Sequence, residues 1–277
     1  HGYAAIYRLA DRLGLNHHDV SFESIGVNHF VFLNRFFYKG KNAYPLLDEW
    51  INKKARQYWE DVWYSDFEGP KPVDLYKRFG LWPLGDTATP GGGSWPWWYH
   101  VDEETEEKWL EKPVEGFEGY FGWVKEQVEK IHENAYDYSK KMTEVFEPKH
   151  SGEPVIPLIE ALNCGVERIV IVNILNDKEY IPGIPRDFQV EIPALCSKKG
   201  IQGIHCNPLP RHILSLIYRD KIAPCEMELA AFEKCSYDLL LTLILMDPFT
   251  RTENQARAFL DEIINLPYHT EMKQHYK

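Results

Sequence analysis

The chain has 277 residues and carries 31 Lys and Arg against 42 Asp and Glu, a formal net charge of −11. Its length corresponds to one large domain or two small ones, since domains typically hold about 100–200 residues. The negative charge argues against a nucleic-acid partner, because a broad footprint on phosphates needs clustered Lys and Arg.

Cysteine usage and hydropathy predict a cytoplasmic protein. The five cysteines show no Cys-x-x-Cys spacing, which is typical of reduced intracellular thiols rather than of a disulfide framework. Charged residues interrupt the opening segment HGYAAIYRLADRLG, which therefore lacks the apolar core of a secretory signal. The longest apolar stretch, 239–246, is far shorter than the roughly 18 residues of a membrane span, so we expect no membrane partner.

Periodicity predicts the elements of the first 80 residues. Apolar residues at intervals of three and four indicate an amphipathic helix that Gly14 ends. Aromatic and β-branched runs predict strands over 20–26 and 29–38, followed by a turn at Lys39-Gly40. Pro45 fits the first turn of the next helix, and a shorter helix is predicted over 73–79.

The segment 80–100 lacks a regular pattern. It contains three Pro, five Gly and four Trp in 21 residues, and we interpret it as a long loop. Long structured loops in compact domains usually carry function, so this segment is the first place to look for a site.

The rest of the chain separates its strands from its helices. Strands are predicted over 168–175 and 188–192. Helices are predicted over 103–110, 117–146, 151–163, 208–219, 224–246 and 252–265. Segregation of this kind favours an α+β fold, with mixed strands and a helical C-terminal third, over a doubly wound one.

Two segments contain polar residues that could carry chemistry. His29 lies where segment 26–30 joins two predicted strands. A neutral imidazole at a strand edge can bind a borderline metal, and the carboxamide of Asn28 can orient a substrate hydroxyl. Asp86 lies among tryptophans in the segment 80–100 and could act as a general base. The alternatives are that a backbone carbonyl satisfies His29 and that Asp86 caps a turn.

The aromatic segment 94–100 allows two interpretations. Its side chains, including Trp95 and His100, could form a sugar-binding platform. The tryptophans could equally seal the loop onto the body of the protein.

The motifs, taken in order, resemble the part of family 4 glycoside hydrolases that follows their nucleotide-binding domain. The closest branch contains α-galacturonidases. The matching segments are His1-Gly2 before a helix, GVNHFVFLNRFFYKGKNAYPLLDEW, FGLWPLGDT, SGEPVIPLIEAL, VNILN with IPGIPRDFQVEIPAL, NPLP, and DPFTRTENQARAFLDEIINLP. The resemblance implies one α+β domain over 1–277, with a lactate dehydrogenase-like C-terminal fold. It also implies an NAD-binding Rossmann domain that would precede His1 and is missing here.

The resemblance also implies an activity, namely NAD- and Mn²⁺-dependent hydrolysis of α-glycosides, with α-galacturonides preferred. NAD⁺ oxidises the sugar C3 hydroxyl, a base removes the C2 proton, the C1 leaving group is eliminated, water adds, and hydride returns. His29 is the expected metal ligand and Asp86 the expected base. Asn28 would contact the substrate, and His1 would lie beside the leaving group.

Further expectations follow from the same family. The whole enzyme would be a homodimer or homotetramer, and the chain 1–277 alone would be inactive. The sequence departs from the branch at Thr89, where an Arg is common, and in segment 176–182. These departures favour the alternative, a non-catalytic sugar-binding or oligomerisation module of the same descent.

Overall fold

An antiparallel sheet forms the centre of the protein. The computed structural model describes residues 2–60, 67–89, 93, 95–148 and 153–276. Within them the strands are β1 Val20–Val27, β2 Phe30–Tyr38, β3 Lys41–Asn42, β4 Trp82–Leu84, β5 Arg168–Leu175, β6 Gln189–Ser197 and β7 Gly200–Gly203. The sheet order is β3-β2-β1-β6-β5, with β4 paired to β2 and β7 paired to β6.

Helices fill most of the remaining described chain and nearly all of its last third. They are α1 Gly2–Arg12, α2 Tyr44–Lys53, α3 Ala55–Glu60, α4 Pro70–Phe79, α5 Pro96–Tyr99, α6 Glu103–Trp109, α7 Pro113–Ala135, α8 Met142–Val145, α9 Val155–Cys164, α10 Arg211–Ile217, α11 Ala223–Glu233, α12 Tyr237–Met246, α13 Glu253–Ile264 and α14 Thr270–His275. The expected α+β class is confirmed. In the described part of the chain, no helix has the length and apolar character needed to cross a membrane.

The strand β2 is buried on both of its faces. Successive side chains of a strand point to opposite faces. Phe30 and Phe32 accordingly join the core that contains residues of α10, whereas Val31 and Leu33 join the core that contains residues of α1 and α2. A strand covered on both sides gives the unbroken apolar run that the sequence shows over 30–33.

The structure corrects the interpretation of 80–100 as one long loop. Residues 82–84 form β4, which pairs with β2 between Val31 and Leu84 and between Leu33 and Trp82. Residues 85–88 then form a 3-10 turn, and 96–99 form α5. The strand is short and contains a proline, so the local pattern did not indicate it. It forms because Trp82 and Leu84 are buried against β2 and its helices.

Two long helices predicted from periodicity are also interrupted. The predicted helix over 117–146 ends as α7 at Ala135, and Asp137 then accepts a hydrogen bond from the Ser139 N–H in a local turn. The predicted helix over 224–246 divides at Cys235, whose φ is 51°, and Ser236 caps α12 by accepting a hydrogen bond from the Leu239 N–H. Local side-chain hydrogen bonds therefore stabilise the turn after α7 and the start of α12.

Gly26 allows β1 to run close to β2. A Cβ atom built at this position would meet the Phe30 carbonyl and lie 2.8 Å from the Val31 Cα atom. Both of these neighbours are backbone, so neither can move aside as a flexible side chain would. Glycine is therefore the residue that fits at the end of this hairpin.

We predict that Gly26→Ala destabilises the protein by about 1–3 kcal/mol or more, because overpacking against backbone forces the strands apart. Gly122→Ala is the matched control, since a Cβ there has no neighbour within 4 Å on the exposed helix α7. That control should be neutral or stabilise by roughly 0.5–1 kcal/mol through helix propensity. Denaturant unfolding of both variants measures the difference, and equal effects would contradict the packing argument.

Candidate active site

His29 lies in the tight turn between β1 and β2. Val27 pairs with Phe30, so Asn28 and His29 alone connect the strands. The φ angle of His29 is 59°, a left-handed conformation that costs a non-glycine residue of order 1–3 kcal/mol. Asn28 is exposed, and the His29 side chain is 37% exposed. Both side chains are therefore accessible to a ligand.

A second turn, formed by residues 85–88, lies against the same hairpin. The buried Thr87 hydroxyl accepts a hydrogen bond from the Val31 N–H at 2.8 Å and donates one to the Val31 carbonyl oxygen at 2.9 Å. The Thr89 hydroxyl closes the turn by donating to the Asp86 carbonyl oxygen at 2.8 Å. Thr87 thus fixes the turn to β2 two residues beyond His29.

These two turns bring His29 and Asp86 together. The His29 Nδ1 atom lies 2.8 Å from the Asp86 Oδ2 atom, and the Asp86 side chain is 27% exposed. The imidazole thus has a carboxylate partner. The alternative interpretation of the sequence was a backbone carbonyl. With Nδ1 directed at a carboxylate, Nε2 is the ring atom that could bind a metal, the arrangement that orients many metal-binding histidines.

The described residues provide only part of a metal site. Among them, no group of three or more His, Cys, Asp and Glu side chains is placed to hold a metal ion. The donor types of His29 and Asp86 suit a divalent metal such as Mn²⁺, which accepts imidazole and carboxylate ligands. Any further ligands would come from outside the described residues or from the substrate.

The pattern of the whole chain identifies its family. Residues 24–250 match the sequence model described as the family 4 glycosyl hydrolase C-terminal domain. The chain belongs to family 4 of the glycosyl hydrolases. This match spans the strands, both turns of the candidate site and most of the helical C-terminal third.

Two curated relatives support this family assignment. The chain is 27% identical to an α-galacturonidase of Lachnoclostridium phytofermentans, over 74% of this chain and 44% of that protein. It is 24% identical to an α-galacturonidase of Thermoanaerobacter italicus, over 89% of this chain and 54% of that protein. The chain thus spans about half the length of these curated relatives.

A solved family 4 fold is also similar. The structure of a 6-phospho-α-glucosidase from gut microorganisms, in complex with NAD and Mn²⁺, superposes with a TM-score of 0.66 at 18% identity. It covers 95% of this chain and 58% of that one. This likeness confirms the family 4 fold.

Trp95 lies in the interior of the protein rather than at its surface. Its indole is fully buried, stacks on Phe30 with ring centroids 6.0 Å apart, and donates from Nε1 to the Thr87 carbonyl oxygen at 3.0 Å. Of the two roles left open for the tryptophans, burial favours sealing for Trp95. It supports the turn that holds Asp86 and offers no face to a sugar.

His100 belongs to a buried charged cluster with Lys71 and Glu111. The Lys71 Nζ atom lies 2.7 Å from Glu111 Oε1, and His100 Nδ1 lies 3.9 Å from Glu111 Oε2. Burial, with a smaller contribution from the Lys71 charge, lowers the pKa of His100 to about 3. The imidazole is therefore neutral and enclosed, which leaves it no contact with substrate in this arrangement.

Asn28 and His1 are the two remaining residues predicted for the site. Asn28 lies beside His29, as expected for a residue that contacts substrate, and that role stays a prediction. His1 lies outside the described residues.

Several structural supports of the site could not be found from the sequence. Thr87 lies next to Asp86, but only tertiary structure shows that its hydroxyl faces Val31. Lys71 and Glu111 are far apart in the chain, and no spacing rule pairs them. A cleft of about 670 Å³ adjoins this region and is lined in part by Trp98, Arg219 and Phe249, but not by His29 or Asp86.

We predict that Thr87→Val destabilises the protein by about 1–3 kcal/mol, because it leaves the buried Val31 N–H and C=O groups without their partner. Thr87→Ser is the control, since it keeps the hydroxyl and removes only a methyl group worth about 0.8 kcal/mol. Free energies of unfolding distinguish the two variants. A serine variant as unstable as the valine variant would show that loss of the hydrogen bonds does not cause the destabilisation.

We also predict that His100 makes stability depend on pH. The unfolded chain protonates this histidine below about pH 6.5, whereas the folded protein keeps it neutral down to about pH 3. The stability that depends on the neutral form is complete above about pH 6.5 and is lost progressively as the pH falls towards about 3.

His100→Gln should therefore flatten the fall of the melting temperature between neutral and acidic pH. His132→Gln, at an exposed position of α7, should leave the slope unchanged. Thermal melts across this range measure both slopes. Parallel curves for the wild type and H100Q would contradict the prediction.

Proposed function

We propose that this chain carries the proton-transfer residue and a metal ligand of an NAD- and Mn²⁺-dependent α-glycosidase that acts on α-galacturonides. The observation that carries the proposal is the pair of His29 and Asp86, 2.8 Å apart and partly exposed within a family 4 fold. Two relatives named α-galacturonidase and a similar structure that holds NAD and Mn²⁺ support the substrate and the cofactors.

When bound, NAD and the divalent metal would supply transient oxidation of the sugar C3 hydroxyl and polarisation of the resulting carbonyl, which acidifies the C2 proton. Asp86 accepts the C2 proton on its carboxylate, after which the C1 leaving group departs and water adds. His29 binds the metal through Nε2, and Asp86 fixes the orientation of the ring through Nδ1. Asn28, exposed in the same turn, donates to or accepts from a sugar hydroxyl.

The two functions of Asp86 are compatible because a carboxylate has two oxygens. Oδ2 faces the imidazole, and a carboxylate can accept at both of its oxygens. In this proposal His29 would hold the metal through Nε2, and Asp86 would act on the sugar through its carboxylate.

The dinucleotide site belongs to a portion outside 1–277 in this proposal. The relatives are about twice as long as the segments that this chain matches. We propose that the chain works joined to a nucleotide-binding portion, in the cytoplasm, and is inactive alone.

We further propose a homodimer or homotetramer, supported by the exposed apolar residues of α7 and α9. They are Val114, Phe117, Tyr120, Phe121, Trp123, Val128, Ile131, Val155, Ile156, Ile159 and Leu162.

A second candidate is a non-catalytic sugar-binding or oligomerisation module. The observation that favours it is the incomplete metal site, since the described residues place only His29 and Asp86 together. Such a module would bind sugar without NAD or metal and would not exchange C2 protons.

Deuterium exchange tests the proposed function directly. The whole protein, incubated with NAD⁺, Mn²⁺ and an aryl α-galacturonide in D₂O, should incorporate deuterium at C2 of the product. Asp86→Asn should abolish both incorporation and turnover, because an amide is not a base at neutral pH. Asp187→Asn, at an exposed position, is the matched control and should retain both.

Two results would reject the catalytic proposal. One is turnover that persists without NAD⁺ and metal, or without C2 exchange. The other is absence of turnover combined with sugar binding, measured by tryptophan fluorescence, that is independent of Mn²⁺, and this result favours the module.

A further inference from the structure

Helix α7 is the longest described helix, yet it buries almost none of its surface. It runs over 23 residues, and Asn134 near its end is the one buried side chain among those described in it. Glycines at 116, 119 and 122 disfavour a helix relative to alanine. Helices in proteins owe most of their stability to packing of an apolar face. Within the part of the chain that the structure describes, no such face of α7 is buried.

The apolar residues of α7 follow a heptad repeat. They occupy the first and fourth positions, a and d, of three successive heptads, and we call them the seam. The seam residues are Val114, Phe117, Phe121, Val124, Val128, Ile131 and Ala135. Val124 is half-buried and the other six are exposed, with Val114 at 69% and Phe121 at 64%. Apolar residues repeated every 3.5 positions over this length are the pattern of a helix that pairs with another helix.

The charge of α7 argues against a lipid surface as the partner of the seam. The helix contains five Glu and two Lys. Helices that lie on anionic membranes instead carry Lys and Arg on their polar face. Two of the charged residues, Glu118 and Lys125, border the seam at the same heptad position, e, one heptad apart. Charges at this position set the partner and the orientation of paired helices.

We propose that α7 pairs with α7 of a second copy of this chain, as an antiparallel two-helix coiled coil. The two-fold axis of the dimer crosses each helix between positions 122 and 123. The inference rests on the homodimer of the proposed function and specifies its interface. It uses no part of the proposed catalysis.

The sizes of the seam residues favour the antiparallel orientation. In this arrangement an a residue of one helix packs on a d residue of the other, and two-fold symmetry repeats every contact. The layers are Phe121 on the partner's Val124, Phe117 on the partner's Val128, and Val114 on the partner's Ile131. Each phenylalanine thus meets a smaller β-branched residue, as interdigitating layers require. A parallel pair in register would place phenylalanine on phenylalanine in two adjacent layers.

The charges beside the seam favour the same orientation. With the axis between 122 and 123, Glu118 and the partner's Lys125 lie on the same side of the seam. They differ by about 3 Å in height along the axis, given a rise of 1.5 Å per residue. Symmetry forms this ion pair twice. Within one copy, Lys125 Nζ lies 3.9 Å from Glu129 Oε1, and both side chains are more than half exposed, so the ammonium can turn to the partner at little cost.

Sedimentation velocity of the whole protein tests the interface. The wild type should be a dimer or a tetramer at micromolar concentration. Phe121→Glu combined with Val128→Glu should halve the mass of the particle, because charges buried in an apolar seam lose their hydration. Trp123→Glu is the matched control. It introduces the same charge at an aromatic residue that is 56% exposed but lies off the seam, and it should leave the mass unchanged.

Charge reversal tests the orientation and leaves the apolar seam intact. Glu118→Lys or Lys125→Glu alone places like charges opposite each other twice, and each should raise the dimer dissociation constant by about 10-fold. The double variant E118K/K125E should recover the wild-type value. A parallel pair does not bring these residues together. Unchanged association in the single variants, or no recovery in the double variant, would therefore overturn the antiparallel pairing.

Two further results would overturn the inference. One is a wild-type protein that is monomeric at micromolar concentration. The other is a seam variant that keeps the wild-type mass. In the second case a lower melting temperature would indicate that another portion of the same chain covers the seam, whereas an unchanged one would direct the search for the interface to α9. Deuterium incorporation at C2 is measured separately, so failure of this interface is distinguishable from failure of the proposed catalysis.

Discussion

The candidate site depends on the pair of hydrogen bonds between Thr87 and Val31. One hydroxyl satisfies both the N–H and the carbonyl oxygen of a strand residue, and it is buried where water cannot replace it. Because β4 also pairs with β2 just before this point, the turn 85–88 has little freedom in position. Asp86 is consequently held opposite His29 even though the two residues belong to distant parts of the sequence.

A second set of interactions holds the segment that follows. The ion pair of Lys71 and Glu111 is almost completely buried, with both side chains 2% exposed. Such a pair contributes little net stability, because desolvation offsets the attraction, but removal of one partner leaves an uncompensated buried charge. The arrangement therefore discourages alternative positions for the chain between α4 and α6. That chain includes Trp95, which donates a hydrogen bond to the Asp86 turn.

Function and support are thus divided among different kinds of residue. The polar groups of the candidate site are the exposed Asn28 and the partly exposed His29 and Asp86. All three lie on turns, as expected for chemistry placed on loops by a rigid scaffold. Trp95 serves packing, although the aromatic content of segment 94–100 first suggests a sugar platform.

The sequence by itself predicted the α+β class, the hairpin of β1 and β2, strand β5, most of the helices and the family. These predictions succeeded because local periodicity and short motifs record whether a segment is helical or extended, and because a motif series is specific to a family. The sequence also singled out His29 and Asp86, whose roles stay predictions. Only tertiary structure decided that β4 exists, that His29 meets Asp86, and that Trp95 and His100 are buried.

The reason is that each of the latter outcomes depends on contacts between distant segments. A three-residue strand has no periodicity of its own and is stabilised by the neighbour with which it pairs. Likewise, a tryptophan in a glycine-rich segment has the same local sequence whether it seals a core or faces a ligand. The burial of Trp95, for example, depends on Phe30, a residue of the distant strand β2.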